Sequence, residues 1–272
     1  MTSDYARAIA VEPDGDNRYR VTVDPEWSIG GNPHGGYLMA LVARAAVAAS
    51  PHPDPLTVST NFLRPPKFGA GIVEVEEVRV GRSVASHRAR LVEDGTSVLE
   101  MTVTSGTLPD DEPAWTQPPP ELPPIEDCVP ARRKAPTGVD VAIMDKVEVL
   151  FDPACLGWAR GEPGPQPPVM RGWYRVRAAS QQASHETDPD PYAVVIAADV
   201  LPPTVFALGI FGWAPTVEMT TLLRTRPAPG WLRISVTTGL VRGRWFDEDV
   251  TVWDETDAVV AQGRQLALLG RA

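Results

Sequence analysis

A loop of small and polar residues leads directly into an apolar segment near the start of the chain. The loop is Asn32, Pro33, His34, Gly35 and Gly36, and the predicted helix runs from Tyr37 to Ala49. The first N–H groups of a helix lack partners and carry the positive end of its dipole, so they suit an oxyanion. Gly35 and Gly36 are candidate donors, because glycine lets a substrate approach the backbone closely. The alternative is a tight turn into a crowded helix, with His34 as a solvated or capping residue or a further candidate for the site.

Two polar side chains interrupt apolar strands in the second half of the chain. Glu218 stands between Val217 and Met219, and strict alternation places it on one face with Thr216. Gln265 stands in the final strand, and a buried amide there needs partners that a site would supply. The alternatives are that Glu218 faces solvent at a sheet edge and that Gln265 is a surface group, with Gln262 as its rival.

Several other chemistries lack the residues that they need. The chain has no Gly-x-Ser-x-Gly nucleophile elbow, which argues against a serine hydrolase. Cys128 and Cys155 belong to no Cys-x-x-Cys motif and no cysteine–histidine cluster. The four histidines, His34, His52, His87 and His185, are scattered, so zinc ligation is not expected. The sequence therefore predicts chemistry without a metal or another cofactor.

The composition describes an acidic globular protein of 272 residues with a net charge of −10. That charge argues against a nucleic-acid partner, and the basic run Arg132–Lys134 is interpreted as solvated linker. The N-terminus resembles no signal peptide, and no apolar run approaches the roughly 20 residues that span a bilayer. We expect a cytoplasmic protein that has no membrane partner, and two unclustered cysteines fit that compartment.

The pattern of elements occurs twice. The first copy predicts a strand over Arg18–Val23, a helix that is apolar on nearly every face, and then four strands. The second copy predicts two strands, a helix over Tyr192–Leu201, and four more strands. Arg64-Pro65 and Arg226-Pro227 close the equivalent strands and lie 162 residues apart. The predicted strands are 56–63, 71–80, 83–93 and 97–106 in the first copy, and 146–151, 170–177, 216–225, 231–241, 244–253 and 258–269 in the second.

The duplication defines three segments and the place of a site. Residues 1–107 form the first copy, the proline-rich residues 108–136 an extended connector, and residues 137–272 the second copy. One buried helix wrapped by a curved antiparallel sheet is the α+β arrangement called the hotdog fold, and two copies make a double hotdog. A fused pseudo-dimer is expected to join its sheets edge to edge, to pack its helices side by side and to hold its site at the seam.

The chain resembles the TesB-like acyl-CoA thioesterases over nearly its whole length. The segments that carry the resemblance are NPHGGYLMALVARAA, STNFLRPP, VEVEEVRVGRSVASHRARL, DVLPPTVFALG, PTVEMTTLLRTRPAPGWL and VVAQGRQLALL. Their order and duplication make the match fairly specific. The resemblance implies a double hotdog that cleaves acyl-CoA in fatty acid metabolism, without a cofactor, and a homo-oligomer such as a dimer of double hotdogs.

The resemblance also implies a catalytic set in which an acid, a hydroxyl and a glutamine hold the attacking water. Carried onto this sequence, the acid is Glu218, the hydroxyl is Thr238 with Thr237 as the alternative, and the glutamine is Gln265. The family spacing counted back from Arg226 reaches Met219, so the assignment of Glu218 requires a β-bulge of one residue in that strand.

Two rival functions stay open at this stage. The first is an enoyl-CoA hydratase or dehydratase on the same fold. Its Asp/His dyad would require an aspartate and a histidine where Gly30 and Gly35 stand, which argues against it. The second is a catalytically inactive protein that binds an acyl thioester or a lipid. The strand equivalents around Val58 and Val103 offer no carboxylate, so we expect one active site per chain.

Overall fold

A computed structural model of the protein describes residues 3–162, 164, 167–177 and 188–270; His185 lies outside them. The helices are α1 (Asp4–Ala8), α2 (Gly35–Ala48) and α3 (Pro191–Ala197). The first eight strands are β1 (Glu12–Pro13), β2 (Arg18–Val23), β3 (Ser28–Ile29), β4 (Asn32–Pro33), β5 (Asp54–Phe62), β6 (Gly69–Val80), β7 (Ala85–Glu93) and β8 (Thr96–Gly106). The others are β9 (Val129–Pro130), β10 (Val147–Phe151), β11 (Val169–Val176), β12 (Thr216–Leu223), β13 (Leu232–Thr237), β14 (Val241–Arg242), β15 (Trp245–Trp253) and β16 (Val259–Leu268).

One antiparallel sheet contains both copies. Its strand order is β1-β2-β6-β7-β8-β5-β12-β16-β15-β13-β11-β10-β9, with β14 paired to β15. The helices α2 and α3 pack against each other and against the inner face of this sheet. The predicted double hotdog is confirmed, since each copy wraps its own strands around its own helix.

Two elements of the second copy differ from their predicted extents. The predicted helix over 192–201 ends at Ala197, because the backbone then turns and the Asp199 N–H donates to the Ile196 carbonyl. The predicted strand 231–241 is two strands, β13 and β14. Between them the Leu240 N–H donates to the Asp247 carboxylate at 2.8 Å, so the chain leaves the ladder there.

The two copies join where β5 pairs with β12. Ser59 lies opposite Thr220, and their hydroxyl groups are 2.8 Å apart. Val58 pairs with Thr221, and Thr60 pairs with Met219. The register shifts place Leu56 of β5 and Val217 of β12 at equivalent positions, each three residues from the centre of this ladder. The Ser59–Thr220 pair therefore lies on a pseudo-twofold axis that exchanges the copies. The predicted edge-to-edge seam is therefore present, with the helices side by side beneath it.

The helix α2 is buried on nearly every side, as its largely apolar sequence predicts; Arg44 is its only charged residue. Its N-terminal turn crosses the C-terminal end of α3, and the crossing is close because Gly36 has no side chain. A Cβ atom built on Gly36 would lie 3.1 Å from the Ile196 Cα atom and 3.0 Å from the Asp199 Cβ atom. This glycine therefore fixes how near the two copies approach each other.

Each copy carries a β-bulge near the start of the strand at the seam. In β12 the register shifts between Thr216 and Glu218, so Val217 is the extra residue. In β5 the register shifts between Pro55 and Thr57. A bulge changes which side chains face inward, because alternation resumes one residue later.

We expect Gly36→Ala to destabilise the fold by about 1–3 kcal/mol, because the added methyl group meets backbone atoms in a packed crossing. Thermal unfolding should show a fall in Tm of several degrees. The control is Gly239→Ala, where a Cβ atom would meet nothing nearer than 3.4 Å. An unchanged Tm for Gly36→Ala would contradict this description of the crossing.

Candidate active site

A cavity of about 530 Å³ opens where the first turn of α2 meets the end of α3. The first copy contributes His34, Gly35 and Phe62 to its walls, and the second contributes Asp199 and Gln265. The cavity therefore lies at the seam between the copies, where a fused pseudo-dimer is expected to hold its site.

The Asp199 carboxyl is the central polar group of this cavity. Asp199 follows α3 directly, and the Gly36 N–H donates to its Oδ2 atom at 2.6 Å across the seam. Its side chain is only 13 % exposed. Burial raises the pKa of Asp199 to about 7, although the hydrogen bond from Gly36 opposes that shift. A carboxyl with such a pKa can take up and release a proton near neutral pH.

His34 connects the start of α2 to the same aspartate. It is the N-cap of α2, and its Nδ1 atom accepts the Tyr37 N–H at 3.2 Å. The Nε2 atom therefore carries the proton, and it donates to the Asp199 carbonyl at 3.1 Å. Burial lowers the pKa of His34 to about 4, so the ring is neutral at physiological pH. Both ring nitrogens are thus occupied in holding the crossing together.

Gln265 faces the cavity from β16, and its amide is held from both sides. The Thr216 hydroxyl donates to its Oε1 atom at 2.5 Å. Its Nε2 atom donates to the Glu248 carboxylate. Thr216 reaches this face because the bulge at Val217 interrupts the alternation of β12. Hydroxyl and amide together form a polar pair that lines the cavity.

Glu248 is a second buried carboxyl in the cavity wall. The Thr204 N–H and hydroxyl both donate to its Oε1 atom, at 2.7 and 2.8 Å. Burial raises the pKa of Glu248 to about 7 against the effect of these bonds, and the nearby Asp199 charge adds to the rise. Glu248 is only 4 % exposed. Its carboxyl therefore holds the Gln265 amide and Thr204 from within the cavity wall.

The rest of the wall is mostly apolar. Aromatic and aliphatic side chains from both copies surround the polar groups and would keep an apolar ligand dry. Trp158 and Phe206 form an edge-to-face pair with ring centroids 5.2 Å apart, and Phe211 packs against both rings. The larger apolar side chains of the wall include Leu38, Phe62, Phe151, Trp158, Phe206, Trp213 and Phe246.

The structure places Glu218 away from these groups, which corrects the expectation that it lies in the site. The bulge that its assignment requires is present, but the extra residue is Val217. Glu218 consequently lies beside Thr220 on the outer face of the sheet and accepts its hydroxyl at 2.9 Å. Met219, the next residue, faces the core and is 1 % exposed. The predicted acid therefore contributes nothing to the cavity wall.

Thr238 is buried behind the wall. Its hydroxyl donates to the Asp247 carbonyl at 2.8 Å and contacts the Thr204 hydroxyl. Its alternative, Thr237, is exposed at the end of β13. Thr238 therefore reaches Gln265 only through Thr204 and Glu248, and the hydroxyl that touches the glutamine belongs to Thr216.

The two predicted glycine donors differ in their surroundings. The Gly36 N–H is bonded to Asp199. The Gly35 N–H donates to no oxygen among residues that the structure describes, and Gly35 lines the cavity. A Cβ atom on Gly35 would lie 2.7 Å from the Asp199 Oδ2 atom, so only glycine leaves room for the carboxylate here.

The sequence contains signals for the residues that sequence reasoning missed. Glu248 follows Phe246 and precedes Val250 and Val252 at alternate positions, so a carboxyl occupies an inward register. Asp199 stands at the end of a wholly apolar helix, just before Pro202-Pro203. Such an aspartate is usually interpreted as part of a helix stop.

The pseudo-symmetric position in the first copy lacks these acids. The twofold at Ser59–Thr220 relates Val58 to Met219, and the pairing across the strands extends the relation to the other site residues. Ser50 follows the C-cap of α2 as Asp199 follows that of α3. The residues at the positions of Asp199, Thr216, Glu248 and Gln265 are Ser50, Pro55, His87 and Val103.

The described residues include no group of three or more histidines, cysteines and carboxylates that could hold a metal ion. Within the same described part of the chain, no helix has the length and apolar character to cross a membrane.

Comparison with known proteins relates this architecture to one family. The N-terminal domain of acyl-CoA thioesterases matches residues 23–106, and the C-terminal domain matches residues 125–269. An uncharacterized protein of Mycobacterium tuberculosis is 30% identical over 269 residues, covering 91% of this chain and 89% of that protein.

Solved structures agree with this match. A Thermobifida fusca protein provisionally called a thioesterase II is 34% identical, with a TM-score of 0.88 and coverage of 99% and 98% of the two chains. A TesB protein of Mycobacterium avium subsp. paratuberculosis has the same fold, with 18% identity, a TM-score of 0.79 and 98% coverage of both chains.

Dehydratase domains share the fold at a greater distance. The dehydratase domain of PpsC from Mycobacterium tuberculosis has a TM-score of 0.63 at 13% identity, which relates the folds alone. The two thioesterase domain matches together cover most of the sequence. The chain therefore belongs to the acyl-CoA thioesterase family and has the double-hotdog fold of its TesB-like members.

Proposed function

We propose that the protein hydrolyses an acyl-CoA to a carboxylic acid and CoA at the seam cavity. The observation that carries this proposal is the Asp199 carboxyl, whose pKa is raised to about 7 and which lies at the N-terminus of α2. A base poised near neutral pH, beside a hydroxyl–amide pair in a largely apolar cavity, suits activation of one water molecule.

Asp199 acts as the general base in this proposal. Its carboxylate takes a proton from a water molecule that the Thr216–Gln265 pair orients, and the water oxygen attacks the thioester carbonyl carbon. The tetrahedral intermediate then collapses, the carbon–sulfur bond breaks, and the CoA thiolate leaves with the proton that Asp199 received. Atoms and charge balance as one water consumed, with one acid and one thiol formed, and no covalent enzyme intermediate is needed.

The start of α2 stabilises the oxyanion. The Gly35 N–H has no partner among the described residues, and the helix dipole favours negative charge at this helix end. Gly36 contributes by holding Asp199 instead. His34 positions the aspartate through its carbonyl and transfers no proton, because both ring nitrogens are already bonded.

Glu248 and Thr238 hold the proposed water-orienting residues in position from within the cavity wall. Glu248 holds the Nε2 side of Gln265, which leaves the amide one orientation toward the cavity. Thr204 joins Glu248 to Thr238, so the chain of bonds extends from β16 through β15 to the end of β13. In this proposal Thr238 is a positioning residue.

The cellular setting follows from the chemistry and remains part of the proposal. An acyl-CoA substrate without a metal or cofactor suits fatty acid metabolism in the cytoplasm. We expect a homo-oligomer, with a dimer of double hotdogs as the simplest form.

Release of free thiol from a panel of acyl-CoAs tests the function directly. The wild-type protein should release one thiol per acyl-CoA consumed. Hydration of an enoyl-CoA without thiol release would instead assign a hydratase, whose Asp/His positions hold Gly30 and Gly35 here. Binding of acyl-CoA without either reaction would assign a catalytically inactive binding protein.

Replacement of the proposed base is the first prediction from this proposal. Asp199→Asn should lower kcat by at least about 10²-fold, because the amide cannot accept the proton of water. Glu218→Gln is the matched control and should keep kcat within about threefold, since Glu218 lies on the outer face of the sheet. Equal losses in the two variants would contradict the assignment.

The pH dependence is the second prediction. The base must be ionised to act, so kcat/KM should fall as the pH is lowered through about 7 and should level off above it. Asp199 and Glu248 interact, so the apparent pKa describes the pair. Activity that is greatest at pH 5 would contradict an ionised base.

Stability provides the third prediction. Because burial raises the pKa of Asp199 to about 7, the folded protein retains a proton that the unfolded chain loses above its ordinary value of 3.8. This stabilising contribution is present at low pH and is lost as the pH rises through about 7. Asp199→Asn should therefore raise Tm at pH 8 and raise it less at pH 5, measured beside Glu218→Gln. A lower Tm of the asparagine variant at pH 8 would contradict the cost of this buried charge.

A further inference from the structure

Two arginines from different parts of the chain line the same cavity. Arg64 follows β5 in the first copy, and Arg132 follows β9 in the connector between the copies. Both side chains are exposed, whereas the acidic groups of the cavity wall, Asp199 and Glu248, lie in its interior. The arginines therefore bring positive charge to the solvent-facing part of a cavity whose interior holds carboxyls.

Among the described residues, no acidic side chain neutralises either arginine. Arg64 and Arg132 form no ion pair with an acidic side chain in the part of the chain that the structure describes. The adjacent Arg133 differs, because its guanidinium bonds to Asp140 and Asp145. The two arginines of the basic run, interpreted from sequence as solvated linker, therefore differ: Arg133 is paired with acidic residues, and Arg132 lines the cavity.

The backbone around both arginines is held in place. The Arg64 N–H donates to the Val98 carbonyl at 3.2 Å, and Pro65 and Pro66 follow it along the cavity wall. Near Arg132, the Ala131 N–H donates to the Val149 carbonyl at 2.8 Å, which fixes the strand end. The backbone that carries each guanidinium is therefore already ordered, so binding an anion does not require the backbone to be ordered first.

The negative net charge of the chain opposes the approach of an anionic ligand, and two arginines at the cavity opening reduce that repulsion locally. A net charge of −10 repels a polyanionic carrier, so productive binding requires local positive charge near the opening. Arginine is the residue that matches phosphate geometry, because its planar guanidinium can donate two parallel hydrogen bonds. We propose that Arg64 and Arg132 form a phosphate-binding pair that holds the phosphorylated portion of the thioester carrier at the cavity opening.

This inference rests on the proposed function and specifies its carrier. The pair would hold the phosphates while the pantetheine arm enters the cavity and brings the thioester to Asp199. The pantetheine phosphate occurs in CoA and in acyl carrier protein alike, whereas the nucleotide phosphates occur in CoA alone. Three substrates distinguish these phosphates: acyl-CoA contains both kinds, acyl-phosphopantetheine contains only the pantetheine phosphate, and the acyl-N-acetylcysteamine thioester contains neither.

The test compares KM values for three thioesters of one acyl group. We expect Arg64→Ala and Arg132→Ala each to raise KM for the acyl-CoA about 5–10-fold, a loss of about 1–1.4 kcal/mol per arginine, with kcat within twofold. Neither variant should change KM for the acyl-N-acetylcysteamine thioester, which has no phosphate. Arg82→Ala, in the exposed hairpin between β6 and β7, is the control and should leave all values unchanged.

The third substrate, the acyl-phosphopantetheine, identifies the phosphate that is bound. A loss confined to acyl-CoA assigns the nucleotide phosphates, and an equal loss with both substrates assigns the pantetheine phosphate. Unchanged KM values for acyl-CoA in the double variant Arg64→Ala/Arg132→Ala would overturn the proposal. So would an equal rise with the phosphate-free thioester, which would indicate general damage to the cavity.

A separate binding measurement keeps this proposal distinct from the proposed function. Calorimetric titration of free CoA into the wild type and the double variant needs no catalysis. Weaker CoA binding by the double variant, with no thiol release by the wild type, would support the phosphate pair and reject the thioesterase. Normal thiol release with equal CoA binding would support the thioesterase and reject the pair.

Discussion

The close crossing of α2 and α3 is the constraint on which the rest of the structure depends. Gly36 allows the crossing, and its N–H meets the Asp199 carboxylate from the other copy at 2.6 Å. One contact thus ties the two copies together and places a carboxyl at a helix N-terminus. The same contact explains why the site needs both copies, since the helix end belongs to one and the acid to the other.

The fold was predictable because its signals are local and repeated. The largely apolar sequence of α2 indicates a helix buried on nearly every side, and the second copy repeats the order of elements. The site was less predictable, since a period of two along β12 cannot reveal where a bulge lies. The bulge at Val217 turns Thr216 inward and leaves Glu218 outside. Asp199 was missed because its partner Gly36 lies 163 residues away in sequence.

Divergence of the two copies after duplication explains why the polar residues of the candidate site occur in the second copy and not at the equivalent positions of the first. Both copies retain the bulge, the seam register and the buried helix, so the framework is symmetric. The polar groups do not follow this symmetry, because Ser50 and His87 stand where the second copy has Asp199 and Glu248. Burying a carboxyl lowers the stability of the fold when that carboxyl is ionised. The two site carboxyls, Asp199 and Glu248, are both in the second copy, so the first copy carries no such penalty at the equivalent positions.

The most direct test of the central claim is a crystal structure of the Asp199→Asn variant with an intact acyl-CoA. The account predicts one acyl-CoA per chain, with the thioester carbonyl oxygen within hydrogen-bonding distance of the Gly35 N–H and its carbonyl carbon facing the Thr216–Gln265 pair. A thioester bound beside Ser50 and His87, or on the outer sheet face near Glu218, would contradict it.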